Sequence, residues 1–564
     1  MSNTPDYPKF AFMSNKEIAA IFSLLAKLME LHGDNSFKAK AYSTAAFRIS
    51  KFGKPLAETE ISSLSIPGIG EAILQKIQVV LQTGELPLLQ EYLDKTPPGV
   101  VDMLAIKGIG PKKIALLWHE LGIESIGELA YACTENRLIA LKGFGEKTQD
   151  AVLENIHFIQ KNKGWFLFAE LETEAENLTQ QLQEKFPDYR TAVTGAFRRQ
   201  LPVLDKLEWL TEISKPDLIN WLKPLSFSSF QESENHLETR ADHLPKLVFY
   251  FSDRKSFARL LFETTNADAF QQAFEEAFDV PETAESEEEI FSRNNLPFVA
   301  PALRENAASL ALAQAQKLPQ LIQPSDIRGI IHSHSQYSDG LHTLEEMAVA
   351  AKNKGYEYLV ISDHSQTAVY ANGLKPERIR AQHEEIDRLN AQLTPFRIFK
   401  GIESDILGDG SLDYEPGVLA AFEVVIASVH SNLKMDEEKA MQRLLRAVEN
   451  PYTTILGHPT GRLLLSRPGY PVAHKKLIDA CVANKVVIEI NAHPRRLDLD
   501  WSWIPYALEK GALLSVDPDA HAIDGMDLVK YGVLAAQKGG LSAADNLSSR
   551  TMAELTDFLA TKKS

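Results

Sequence analysis

Apolar residues recur at three- and four-residue intervals from NKEIAAIFSLLAKLMELHG onward, in short runs broken by glycine up to about residue 163. This spacing predicts an all-α region of short amphipathic helices. After Gly164 the pattern alternates between a helical run, ELETEAENLTQQLQEKF, and strand-like runs at TAVTG and LVFYF (247–251), which predicts an α+β segment over 164–280. The run Pro281-Glu282-Thr283-Ala284-Glu285-Ser286-Glu287-Glu288-Glu289 reads as a solvated face, and 281–325 is expected to be an acidic linker. From residue 326 to 564 the apolar runs YLVISD, VVIASVH, TTILGHP, VVIEINA and LLSVDPDA alternate with helical ones. That order predicts a parallel β/α fold whose chemistry sits at the strand C-terminal ends.

Three short repeats punctuate the helical region: Ile66-Pro67-Gly68-Ile69-Gly70-Glu71, Ile106-Lys107-Gly108-Ile109-Gly110-Pro111 and Leu141-Lys142-Gly143-Phe144-Gly145-Glu146. Each is apolar-x-Gly-apolar-Gly at a helix start. Glycines there permit a tight hairpin without a Cβ clash and aim backbone N–H groups and a helix N-terminus at an anion. The units resemble the helix-hairpin-helix, a sequence-independent clamp on the DNA backbone. The resemblance implies DNA contacts at Gly68, Gly70, Gly108, Gly110, Gly143 and Gly145, joined by Lys112, Lys113 and Lys147. It also divides the helical region into an N-terminal domain with the first hairpin (1–100) and a segment with the other two (101–163).

Composition refines the picture. The chain has 564 residues, 44% hydrophobic and 24% charged, so three to five folded domains are expected and disorder is not. No apolar run of 18 residues occurs and the opening residues lack the build of a signal peptide; a cytoplasmic protein with no membrane contact is expected. Cys133 and Cys481 are too few for a disulfide framework, so a metal would rest on imidazole and carboxylate. The net charge of −17 argues against indiscriminate DNA binding by the whole molecule. Residues 1–163 nevertheless hold 18 Lys+Arg against 18 Asp+Glu, leaving 41 against 58 in the remainder. Ten of the fifteen histidines follow residue 330.

Six of those histidines fall at the ends of the predicted strands, in His332-Ser333-His334 with Asp339, Asp363-His364, Glu403, His430, Gly457-His458-Pro459 and Asp519-Ala520-His521. Imidazole and carboxylate without thiolate suit Zn²⁺, Mn²⁺ or Fe²⁺. The pattern HxH…D…DH…E…H…H…DxH resembles the PHP (polymerase and histidinol phosphatase) domain. The resemblance implies a distorted seven-stranded β/α barrel holding two or three divalent ions on His332, His334, Asp339, His364, Glu403, His430, His458, Asp519 and His521, with Glu403 bridging. It implies phosphate-clamping roles for Arg462 and Arg496. Asp363 reads as a structural partner, His493 as a non-ligand, and His342, His383 and His474 as solvated helix residues.

Three hairpins, an α+β segment and a PHP domain in this order resemble the bacterial family X DNA polymerases over essentially the whole chain. That family's palm holds two Mg²⁺ ions on an Asp-x-Asp and a third Asp, near a Gly-Ser and an Arg-Arg pair. Here the segment reads Gly195-Ala196-Phe197-Arg198-Arg199, with Lys206 and Glu208 at the aspartate positions and Val248 where the third should fall. A palm without bound Mg²⁺ and without polymerisation is therefore expected. The resemblance also points to Lys76, after the first hairpin, as a Schiff-base lysine for deoxyribose-phosphate removal. The expected activity is metal-dependent 3′–5′ exonucleolysis, with AP-site or 3′-end processing, by a monomer on gapped or nicked DNA. The alternatives are a non-catalytic DNA-binding scaffold and a small-molecule phosphatase.

Overall fold

The computed structural model describes residues 13–59, 66–134, 137–138, 141, 143–162, 164–225, 227, 229–240 and 244–563. Lys142, in the third repeat, lies outside them. The chain divides between residues 163 and 164 into two units.

The first unit holds helices α1 (Asn15–Leu31), α2 (Ser36–Ser50), α3 (Glu71–Thr83), α4 (Pro87–Leu93), α5 (Pro98–Met103), α6 (Pro111–Leu121), α7 (Ile126–Thr134) and α8 (Glu146–Asn162). Ser14 and Glu17 close a capping box that starts α1, whose apolar stripe (Ile18, Phe22, Leu25, Leu28) is buried. Ile69, Ile109 and Phe144, the apolar residues between the paired glycines, are buried in the same core, so each hairpin is pinned by its middle residue.

In the second unit, strands β2 (Thr191–Thr194), β4 (Lys206–Thr211), β7 (Lys246–Phe251), β6 (His236–Arg240) and β5 (Ser229–Glu232) form a sheet in that order, while β1 (Phe166–Leu167) pairs with β3 (Val203–Leu204). Trp209 of β4 stacks on Phe249 of β7, and the sheet face they build packs against α9 (Phe168–Lys185) and α11 (Lys215–Leu222). α10 (Gly195–Arg198) follows β2 directly.

Residues 281–325 are not the expected linker. With α12 (Phe257–Thr265) and α13 (Asp268–Ala277), helices α14 (Glu287–Arg293) and α15 (Ala307–Gln314) enclose a core of Phe262, Phe270, Phe274 and Phe291. Ser286 caps α14, and Glu287 is buried between Arg198 and Arg304, the latter fully buried and facing Phe262, Phe291 and Phe298. A run of acidic residues is thus split between a solvent face and a buried ion pair.

The C-terminal half is a seven-stranded parallel sheet in the order β14 (Leu514–Asp517), β13 (Val487–Asn491), β12 (Ile455–Leu456), β11 (Val424–Ser428), β10 (Arg397–Asp405), β9 (Tyr358–Ile361), β8 (Gly329–Ser333). A bridge between Ser333 and Ala520, with hydrogen bonds from the His334 and Ala520 amides, brings its two edges together into a nearly closed barrel. Alternate residues (Ile331, Val360, Phe399, Ile426, Ile455, Val487) fill the interior floor, which Leu547, Leu555 and Leu559 seal from below. Neighbouring residues such as Ile330, Ile402, Ile488 and Val516 point outward into the helix layer. His342, His383 and His474 are half-buried rather than solvated. His383 meets Phe422 edge-on, and burial pushes its imidazole down to about 4, while His474 stacks on Trp503. The α9 helix is tied to the barrel by Glu170 to Arg495 (3.0 Å) and Glu172 to Lys530 (2.6 Å).

Candidate metal centre and glycine turns

Above the apolar floor the inward positions become polar, and all nine residues expected as ligands converge there. Three groups could each hold a metal ion: His334, Asp339, His364 and His521; His332, His334 and Asp519; His364, Glu403 and His430. Among the described residues, such groups occur only in the barrel. His458 joins them with its Nε2 3.1 Å from Glu403 Oε1. Glu403 sits at the middle, its two oxygens 3.1 Å from His430 Nε2, 3.3 Å from His332 Nε2 and 2.9 Å from His364 Nδ1. Asp519 Oδ1 lies 3.1 Å from His334 Nε2 and 3.4 Å from His332 Nε2.

The backbone bends to achieve this. His332, His458 and Asp519 adopt left-handed conformations (φ of 60°, 24° and 53°), and the β8–β9 register shifts between Ile330 and Ser333. A regular strand would send His332 to the face opposite Ile331. The irregularity turns both toward the interior, and non-glycine residues in this region of φ/ψ space are strained conformations that concentrate at functional sites.

Charge balance in the cluster is distinctive. Burial disfavours the charged forms of Glu403 and Asp519, yet the imidazoles of His430, His332 and His364 around the first, and of His332, His334 and His521 around the second, hold both carboxyls well below their usual range. Burial and the neighbouring His521 and His364 push His334 down to about 3. His430 and His521 go the other way, against burial, to about 10 and about 9, drawn by Glu403 and Asp405 and by Asp339 and Asp519. Protonated imidazoles, not protonated carboxyls, therefore balance the charge of the cluster.

The residues fit divalent ions. Among the described residues, His332 Nε2, His334 Nδ1, His364 Nδ1, His458 Nδ1 and Glu403 Oε2 are all buried with no aligned hydrogen bond, although His332 and His364 stand within 3.3 Å of Glu403; such an accumulation of unsatisfied polar atoms is what a folded interior keeps for a ligand. Exposure rises from the floor, where Glu403 is 1% exposed, to a rim at Asp339 (31%) and His521 (32%).

Residues in the second layer escaped the sequence reading. Glu489, fully buried on β13, stands 2.5 Å from His332 Nδ1 and accepts the His458 amide at 2.5 Å. Asp405 holds His430 Nδ1 at 2.6 Å. Such partners fix the orientation of a ligating imidazole. Asp363 turns away from the cluster and accepts from Ser335, Ser338 and Gln382. His493 closes the following turn by accepting the Arg495 amide at 3.1 Å.

The two arginines separate. Arg496 Nε stands 3.7 Å from Asp519 Oδ2 at the rim of the cluster. Arg462 is engaged elsewhere: it pairs with Asp500 at 2.6 Å and donates to the Arg496 and Leu497 carbonyls, so it braces the loop that carries Arg496.

In the palm position, Lys206 Nζ lies 2.6 Å from Glu208 Oε1, which also accepts from Tyr250, and Glu208 faces Val248 across the parallel β4–β7 ladder. Asp205 is exposed and does not join them. Arg199 pairs with Glu305 (2.8 Å), which in turn holds the buried Lys538 (2.5 Å).

In the first unit, the three turns share one backbone form. Gly68, Gly108 and Gly143 have φ of 83°, 93° and 88°, and a helix starts immediately after Gly70, Gly110 and Gly145. A Cβ at any of these last three would meet nothing within 4 Å, so no internal packing demands glycine there; the space is open to something approaching from outside. Lys112 is 81% exposed, Lys147 is exposed, and Lys113 lies over the Phe144 ring, bridging the second and third turns. Among the described residues, Lys76 reaches only the Ala72 carbonyl of its own helix, at 3.4 Å.

A nearly closed β/α barrel lined by a cluster that could hold metal ions, preceded by repeated hairpin turns, defines a multidomain protein of the hydrolase class built on a PHP barrel. Family models agree: residues 13–86 match a helix-hairpin-helix domain, 100–156 a SAM-like helix-hairpin-helix tandem, and 331–493 the PHP domain. The chain belongs to the bacterial family X DNA polymerase (PolX) family. It is 32% identical to the DNA polymerase/3′-5′ exonuclease PolX of Bacillus subtilis, over 97% of this chain and 99% of that protein. A probable phosphatase of Thermoanaerobacter is 25% identical over 41% of this chain and 94% of its own length. DNA polymerase lambda of Rattus norvegicus is 28% identical over 23% of each chain. Among the described residues, no helix is long and apolar enough to cross a membrane.

Proposed function

We propose that this protein is a metal-dependent DNA phosphodiesterase that removes nucleotides from 3′ ends, brought to gapped or nicked DNA by its hairpin turns, and that template-directed extension has been lost. The observation that carries the reading is the pairing, in one chain, of three outward-facing glycine turns with a buried imidazole–carboxylate cluster rich in orphaned atoms. The Bacillus subtilis relative, named for 3′-5′ exonuclease activity, supports the polarity.

In this reading His332, His334, Asp339, His364, Glu403, His430, His458, Asp519 and His521 would hold two or three divalent ions of Zn, Mn or Fe type. When bound, such ions supply Lewis acidity at a phosphoryl oxygen and a nucleophile at neutral pH. Glu489 and Asp405 fix the imidazoles of His332 and His430. Arg496 meets the non-bridging oxygens of the scissile phosphate with a guanidinium that Arg462 keeps in place. Water oxygen bonds to phosphorus, the P–O3′ bond breaks, and the shortened strand keeps a 3′-hydroxyl while a nucleoside 5′-monophosphate leaves.

The loss of extension rests on the palm's electrostatics. A cation beside Glu208 would face Lys206 within the same few ångströms, and that carboxylate is already paired with the lysine and accepts a hydrogen bond from Tyr250. Phosphoryl transfer to a primer depends on ions that three carboxylates would have to hold. Lys76 remains a proposal for lyase chemistry, supported only by its place after the first hairpin.

The test is His332→Ala/His334→Ala on 5′-labelled primer with Mn²⁺. The double variant is expected to lose nuclease activity while retaining DNA affinity. Degradation at the parental rate would place the chemistry elsewhere.

A further inference from the structure

The loop after His364 exposes two large side chains at the rim of the cluster: Val369 is 82% and Tyr370 71% exposed. The loop around them is firmly held. Ala368, Ala371 and Leu374 are buried, and a Cβ at Gly373 would fall 1.9 Å from the Ser365 carbonyl. On one flank the Thr367 amide and hydroxyl donate to Asp413 (2.7 Å) and Asp405 (3.0 Å). On the other, Asn372 donates to the Tyr337 and Ser338 carbonyls, next to Asp339. Two apolar side chains on a braced loop are thus held out to solvent beside the reacting groups, an arrangement that internal packing does not require.

Tyr370 stands with its ring centroid 6.1 Å from that of His364, and its hydroxyl lies within electrostatic reach of Asp405, Glu403, Asp339 and Arg496. We propose that Tyr370, backed by Val369, is a stacking platform for the unpaired terminal nucleobase of the strand being hydrolysed; this rests on the 3′-end phosphodiesterase reading above. The occupant follows from three features of the site. A phosphate at the cluster carries its own base within reach of the rim, and every base offers a π-face to an aromatic ring whatever the sequence. The second unit carries 41 Lys+Arg against 58 Asp+Glu, so general attraction to a polyanion cannot hold a strand end there. Stacking supplies affinity without charge. Tyr370 is a positioning residue in this account, acting on the base while the phosphate reacts elsewhere.

The experiment is a cycle between enzyme and substrate, read as steady-state cleavage over a range of concentrations of a 5′-labelled single strand. Wild type, Tyr370→Ala and Tyr370→Phe are each given a strand ending in ordinary nucleotides and one whose last two sugars lack bases. Metal content and thermal melting confirm that each variant is folded and loaded. Tyr370→Ala is expected to raise KM on the ordinary strand by about 5- to 150-fold, the range for one base–aromatic stack. Removing the bases should cost the wild type a similar factor and Tyr370→Ala almost nothing, and Tyr370→Phe should behave as wild type. Equal losses for Tyr370→Ala on both strands, an unchanged KM, or a Tyr370→Phe as defective as Tyr370→Ala would each overturn the assignment. A wild type that cleaves neither strand would instead overturn the phosphodiesterase reading, and this inference with it.

Discussion

Glu489→Gln is the most informative single change, because it alters a residue that touches the proposed ions only through others. Its carboxylate serves His332 Nδ1 and the His458 amide, both at 2.5 Å, inside a fully buried strand. Glutamine is isosteric. Its carbonyl can still accept from the His458 amide, but its NH₂ cannot accept from His332 Nδ1–H, so one charge-assisted hydrogen bond is lost. Such a bond contributes roughly 1.5–3 kcal/mol. That is about a 10- to 100-fold loss of metal affinity, the range found for partners of ligating histidines. Burial holds the neighbouring Asp517 carboxyl well above its usual range, reinforced by Glu489, and the substitution would relieve that second effect. The assay is competitive titration of metal-free protein with Mn²⁺ or Zn²⁺ against a chelator, with bound metal counted after dialysis. An affinity within two-fold of wild type would refute the claim that Glu489 orients His332 as a ligand.

Further predictions follow from other parts of the molecule. Arg496→Ala should reduce kcat on DNA by at least about ten-fold at unchanged metal content, whereas Arg462→Lys should act mainly through loop order; equal metal loss in both would contradict the division. Gly108→Val with Gly143→Val should weaken DNA binding uniformly across sequences and flatten its salt dependence, measured by fluorescence anisotropy between low and physiological salt. Glu287 has a folded-state pKa held below the ordinary value by Arg198 and Arg304 against the opposing effect of burial. The stability it contributes is therefore present above about pH 4.5 and lost as pH falls through the lowered value. Glu287→Gln should cost about 3–5 kcal/mol at neutral pH, the loss on breaking a buried pair, and should leave thermal melting less dependent on pH in the acid range. A variant melting like wild type at pH 7 would show that the pair is idle.

What the sequence made legible follows from how a barrel is wired. Each strand-end turn carries its motif within a few residues, so His332-Ser333-His334, Asp363-His364 and Asp519-Ala520-His521 announce themselves without a structure. Glu489 does not, because in VVIEINA a single acid looks like an ordinary solvent-facing alternation; only the barrel's closure turns that face inward toward His332. The left-handed backbone at His332, His458 and Asp519 is equally silent in residue identities. The acidic stretch misled for a related reason. Charge density implies solvent unless the counter-charges are known, and those of Glu287 come from Arg198, 89 positions earlier, and Arg304, 17 later. Arg462 shows the limit of motif position: its neighbours place it near the phosphate, whereas its hydrogen bonds commit it to Asp500 and the chain.

The central claim is that this family member degrades DNA ends and no longer extends them, and one gel tests both halves. Wild type and His332→Ala/His334→Ala are incubated with a 5′-labelled primer bordering a one-nucleotide gap, with Mn²⁺ or Mg²⁺, in the presence and absence of all four dNTPs. The account predicts shortening by the wild type whether or not dNTPs are present, and a primer of unchanged length with the double variant in every lane. Addition of the templated nucleotide by the double variant would contradict it, because the Lys206–Glu208 pair would then have to hold catalytic ions after all.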